Sequence, residues 1–342
     1  MNRQEAAKRL IENDLKEIMD TFASCSGTTS VHFMLGGLLY FATIISGALD
    51  WCEKANIQVE YYVNREVIDK LRAKVKLYAS DDVIPISEQK VLMDRIVAIE
   101  KQYWLDCQAA SGKWCPQFLI PDLGAYRVNG HYIGNTLEYA YEYSPLNPEG
   151  KAIIDALGGK DKESSAIYRF AVQQGQTLQS LYTKIAGKRY LLNRQENDWI
   201  SVADSDLRLS NRKFFKKENA VYALNLCCRI NYLLELFIPL CGENSLLAFR
   251  MMYITFYHLK FDLENLNLEH VYYHMPYRDR SFRNAMAHYS LFGKITDEEI
   301  DEKVIGYGLF EKFFGAPFGT VNDAMIAELK KTRDSLERYV VI

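Results

Sequence analysis

Apolar residues recur every three or four positions along most of this chain, and that spacing predicts one helix after another. Ala7, Leu10, Ile11, Leu15 and Ile18 form the stripe of a first helix over 3–24. The loop Ser26-Gly27-Thr28-Thr29-Ser30 then caps a second helix running to about Cys52. Asn64 caps a third helix through about Tyr78, and Ser87 a fourth from Glu88 to about Ala109. Ser164 to about Ala186 repeats the pattern, as does Glu218 to about Pro239, where Pro239 and Gly242 end the helix. Asn244 caps the next helix, Leu246 to about Asn265, and Asn322 or Asp323 opens the last one, to Val340.

Two places break the helical period. Pro116 to Pro145 is irregular and aromatic, and its Asn129-Gly130 pair signals a tight turn between short strands. Arg189–Leu192 and Trp199–Val202 predict a second small hairpin. The expected fold is therefore all-α, a multi-helix bundle with one or two small β-hairpin excursions. It divides into a mostly helical region over 1–216 and a helical domain over 217–342. Gly158–Lys162 reads as a turn, and Tyr139–Tyr143 as tyrosine packing more than as a stacking surface for bases.

Thr21 to Leu49 carries no Lys, Arg, Asp or Glu, which is enough apolar length to cross a bilayer. His32, Thr43, Ser46 and several glycines interrupt it and no basic cluster flanks it, so a buried core helix is the reading preferred over membrane insertion. The seven cysteines stand at 25, 52, 107, 115, 227, 228 and 241 without a CxxC pair, the pattern of reduced thiols in a cytoplasmic protein. Met1–Glu5 opens a charged amphipathic helix and not a secretory signal. A net charge of −3 excludes a broadly basic nucleic-acid binder but leaves room for a cleft that engages a few phosphates.

The candidate chemistry lies in Ser281-Phe282-Arg283-Asn284-Ala285-Met286-Ala287-His288-Tyr289. On a helix Asn284 and His288 stand one turn apart on the same face, and the long stem of Arg283 lets its guanidinium swing toward them. Asp279 or Ser281 can cap this helix, which places Arg283 and Asn284 in a first turn whose free N–H groups favour an anion. A phosphodiester suits that arrangement. Arg278 and Arg280 add charge beside it, and Arg212, Lys213, Lys216 and Lys217 form a basic, aromatic-interleaved stretch that could track an RNA backbone. His270 and His274 have metal-ligand spacing, but no carboxylate or Cys completes a site and Pro276 follows closely, so no metal and no other cofactor is expected.

The Arg283-Asn284-x-x-x-His288 string resembles the motif of HEPN domains, in which an Arg, commonly followed by a polar residue, precedes a His by a short spacer. The resemblance extends to the helices from about Lys217 to the C-terminus. It implies an α-helical bundle, commonly a homodimer in which two motifs form one cleft. It also implies a metal-independent endoribonuclease of toxin–antitoxin, antiviral-defence or RNA-processing systems, with an antitoxin protein as a further partner. Arg283, Asn284 and His288 would then be catalytic, leaving 2′,3′-cyclic phosphate ends on RNA. Some relatives keep the fold without cutting RNA, so a non-catalytic module that binds a nucleotide, RNA or protein is the alternative.

Overall fold

Helix α2 (Gly27–Lys54) is the central strut. Its middle, from Leu35 to Cys52, is buried almost without interruption because other elements cover it on every side. Helix α1 (Arg3–Ser24), helix α3 (Arg65–Lys76) and helix α4 (Ala166–Ala186) all pack against it. The computed structural model describes residues 3–25, 27–76, 124–135, 166–191, 200–206, 219–289 and 306–340, with isolated positions between. The fold is all-α with one small sheet, as the sequence pattern predicts.

Strands β1 (Gly124–Val128) and β2 (His131–Asn135) form the expected hairpin. Asn129 and Gly130 take positive φ values of 51° and 86°, the backbone of a tight turn matched to strand twist. Of the second predicted hairpin, the described residues 189–191 and 200–202 carry no strand, and 192–199 lie outside the described residues. Strand β3 (Ala203–Asp206) pairs antiparallel with β1, giving the order β2-β1-β3. Tyr139 and Tyr143 are 1% and 0% exposed and belong to the core.

Helix α5 runs over Ala220–Asn231, a π-helical stretch Tyr232–Phe237 and a last turn Ile238–Cys241. Pro239 does not end it, contrary to the pattern; the widened π turn before it accommodates the ring, and Gly242 at φ 96° stops the helix. Helix α6 (Leu246–Asn265) is capped by Ser245, whose hydroxyl accepts from the Ala248 N–H at 2.8 Å, and not by Asn244. Helix α7 (Arg280–His288), helix α8 (Gly308–Phe314) and helix α9 (Phe318–Val340) follow, the last beginning a turn earlier than predicted. The helix expected over 88–109 is described only at isolated positions, and the turn at 158–162 lies outside the described residues.

One apolar core runs from α1 to α9. Two close approaches set its geometry. A Cβ at Gly36 would lie 2.3 Å from the Tyr232 ring, so α2 and α5 meet only because that position is bare. A Cβ at Gly47 would lie 2.8 Å from the ring of Tyr289, which closes α7.

Candidate functional site

Phe282 is what fixes α7 in place. It is fully buried, with ring centroids of Phe314, Tyr253, Phe313 and Phe310 at 4.6, 4.9, 5.2 and 5.3 Å. Phe282, Ala285, Met286 and Ala287 form the inward stripe, so Arg283, Asn284 and His288 are left on the outer side. Asp279 caps the helix as expected, its carboxylate accepting from the Phe282 N–H at 2.8 Å. That carboxylate satisfies an N–H group the sequence argument offered to a ligand anion. Arg283 closes the first turn and Asn284 opens the second, so neither holds an anion through the helix N-terminus.

The other end is held more firmly. Tyr289 adopts a left-handed conformation (φ 50°) and is buried. Its hydroxyl donates to Asp14 at 2.7 Å, and the Arg250 guanidinium lies 4.2 Å over its ring. Arg250 also forms a buried ion pair with Asp14 and donates from Nε to the Met286 carbonyl at 3.1 Å. This arginine neutralises the C-terminus of α7 and thereby sets the position of His288.

Helix α3 brings two further cations to the motif. Arg72 donates to Ser46 Oγ at 2.6 Å, to Asp50 at 3.2 Å and to the Ala287 carbonyl at 3.4 Å, and it contacts His288 Nδ1. Lys76 Nζ stands 3.5 Å from His288 Nε2. Desolvation together with Lys76, Arg72 and Arg283 pushes the His288 pKa down to about 4. Desolvation, Arg72 and Arg283 lower Lys76 to about 8, against the pull of Asp50.

Helix α6 closes the cluster from beneath. The Tyr257 ring has the Arg278 guanidinium at 4.3 Å and that of Arg283 at 5.1 Å. Its neighbour His258 is 7% exposed, and neither of its ring nitrogens has a hydrogen-bond partner among the described residues. Burial, followed by Arg283, Lys76, Arg229 and Arg278, pushes its pKa to about 3. The buried Nε of Arg283 also lacks an acceptor among the described residues. Like charges this close repel one another, and Asp50, paired with Arg72 at 3.2 Å, offsets part of that repulsion.

Of the residues singled out in the sequence, Arg283, His288 and Arg278 share this cluster, and Asn284 sits half-buried beside them. Arg280 is exposed at the first position of α7, and no described contact ties it to the group. Arg212, Lys213, Lys216 and Lys217 lie outside the described residues. His270 packs its ring on Tyr339 at 4.7 Å in a non-helical segment, and no group of metal-binding side chains occurs among the described residues. Sequence reasoning missed Arg72, Lys76 and His258. Arg72 and Lys76 stand one helical turn apart on α3, and His258 is the single imidazole in an otherwise apolar run, which are signals too common to stand alone. No family model, no curated protein and no solved structure matches the chain.

Proposed function

We propose that this chain is a metal-independent endoribonuclease of HEPN type, in which the α3–α6–α7 cluster engages an RNA phosphodiester. The observation that carries the reading is the convergence of Arg72, Lys76 and Arg283 around His288, with Arg278 beside Arg283 at the Tyr257 ring, in a chain whose net charge is −3. Such local positive charge inside an acidic protein suits the capture of a few phosphates without general affinity for nucleic acid.

Arg283 is the phosphate clamp, since its guanidinium presents paired donors and supplies charge to the extra negative oxygen of the transition state. His288 supplies proton transfer at the ribose, and Asn284, one turn away on the same face, orients it. In the empty site the imidazole is uncharged, because the surrounding cations oppose its protonation. A phosphodiester offsets those cations and raises its proton affinity. The products are a 2′,3′-cyclic phosphate and a 5′-hydroxyl. The resemblance to HEPN domains extends the proposal to a homodimer acting in a toxin–antitoxin or antiviral-defence setting in the cytoplasm.

A non-catalytic module that holds a nucleotide, RNA or protein partner is the second reading. It draws on the contact between Arg72 and His288 Nδ1, which occupies one of the two ring nitrogens that proton transfer could use. Incubation of the purified chain with a fluorescein-labelled oligoribonucleotide separates the two. Cleavage that is lost in His288→Ala supports the enzyme, while retention of the intact label on the protein supports the module.

A further inference from the structure

One imidazole stands here between two cationic side chains, and only certain proton placements fit. A guanidinium donates and never accepts, so the contact of Arg72 with Nδ1 requires that nitrogen to carry the lone pair. The ring proton of a neutral imidazole is then on Nε2, the atom facing Lys76 Nζ at 3.5 Å. An ammonium cannot receive a hydrogen bond, whereas a free amine can. Lys76 is half-buried, and His288 is the one hydrogen-bond partner it has among the described residues. No described carboxylate holds it charged through an ion pair.

From this geometry we infer that Lys76 is the proton acceptor of the site, a free amine positioned by the Nε2–H of His288, so that the acid–base function comes from the same chain. The inference rests on the ribonuclease reading given above and refines it: the proton transfer given there to His288 passes to Lys76, which His288 holds in place. In the step, Nζ takes the proton of the ribose 2′-hydroxyl and O2′ bonds to phosphorus. The P–O5′ bond then breaks with its electron pair going to O5′, and the ammonium of Lys76 returns the proton to that oxygen. The amine is regenerated, and no metal or co-reactant enters the balance. His288 acts as the positioning residue for the amine, and Arg283 holds the phosphate.

The charged and titratable groups around Lys76 are consistent with this role. Asp50 faces it from α2, Arg72 from its own helix, His258 from α6, and Arg283 and His288 from α7. Three of the five are permanent or near-permanent charges, and the two arginines outweigh the one carboxylate. The proton affinity of the amine falls to about 8, close to the range in which a base is both free and still basic.

The test measures binding and single-turnover cleavage of a fluorescein-labelled oligoribonucleotide by the full chain. Lys76→Arg carries a fixed positive charge and cannot surrender its proton. It is expected to bind within about threefold of wild type while cleaving on the order of a hundredfold more slowly. The wild-type rate is expected to climb with pH and level off above about 8, and Lys76→Ala to regain part of its rate in added ethylamine. A Lys76→Arg protein that cuts at the wild-type rate overturns the inference and leaves the ribonuclease reading intact, and so does a wild-type rate that is flat from pH 7 to 9. A wild-type chain that cuts no RNA removes both.

Discussion

His32, His258 and His288 share a property that governs how the molecule meets acid. Each is held uncharged, at about 4, 3 and 4 respectively, His32 by burial alone and the other two by burial reinforced by neighbouring cations. The unfolded chain takes up protons on these rings below the ordinary histidine value of about 6.5, and the folded chain does not. Their contribution to stability is therefore complete above that pH and is lost as pH falls from about 6.5 toward 4. His32, 2% exposed with its ring 4.0 Å from that of Tyr126, is the cleanest case and accounts for roughly 3 kcal/mol at most. His32→Phe keeps an aromatic partner for Tyr126 and removes the titration. Thermal melts from pH 7 to pH 4.5 are expected to show a shallower fall in Tm for this variant than for wild type. An equal fall in both assigns the acid sensitivity elsewhere. The same scale reads out phosphate contacts. If Arg278 and Arg283 each touch an RNA phosphate, replacing either by Gln lowers the slope of log affinity against log salt by about 0.7. Arg280→Gln, outside the cluster, is expected to leave the slope unchanged.

Helix α7 shows how an element can carry its polar face to a fixed place. Phe282 anchors one end among aromatic rings of α6 and α8, and Arg250, Asp14 and Tyr289 anchor the other. Arg250→Ala leaves Asp14 buried with its cation gone and strips the cap from Met286, at an expected cost of about 3–5 kcal/mol in denaturant titration. Gly47→Ala drives a methyl into the Tyr289 ring. Its expected effect is a loss of about 1–3 kcal/mol together with a changed His288 imidazole resonance, because the displaced cap is next in sequence to that ring. An unchanged resonance would show that α7 is located without Tyr289. At this scale the sequence was informative wherever the signal was local. Asp279 as cap, the Asn129-Gly130 turn and the apolar stripe of Phe282 and Ala285 all follow from residues within one or two turns. It failed where a partner distant in sequence decides. Ala203–Asp206 becomes a strand because β1 offers an edge to it, and the π turn that absorbs Pro239 could not be read from the apolar pattern of α5.

At the scale of the whole molecule, two helices among the described residues, α2 and α5, are long and apolar enough to cross a membrane, and in this fold both are largely buried by other elements of the chain. The same burial collects the site. Arg283 and His288 were legible as a motif because they are close in sequence, whereas Lys76 and His258 lie far from them in the chain and reach the cluster only through the packing of α3 and α6. Beneath α3 the ionisable groups continue inward. Lys74, fully buried and lowered to about 7, lies near Glu142, which is raised to about 7, and Arg229 donates to the Lys74 carbonyl at 3.2 Å. The positive face of α3 is thus tied to a buried charge network and is not a loose surface patch. A homodimer, which the HEPN reading adds, is expected from sedimentation at micromolar concentration in buffer without detergent. A monomer that still cuts RNA would keep the chemistry and remove the partner.

The central claim is that the cluster around Arg283 and His288 cuts RNA, and the most direct measurement is end-group analysis of a labelled oligoribonucleotide incubated with the purified chain in EDTA. The account predicts fragments ending in 2′,3′-cyclic phosphate from the wild type, and intact RNA from folded His288→Ala and Arg283→Ala proteins. Equal cleavage by His288→Ala, or cutting that EDTA abolishes, would contradict it.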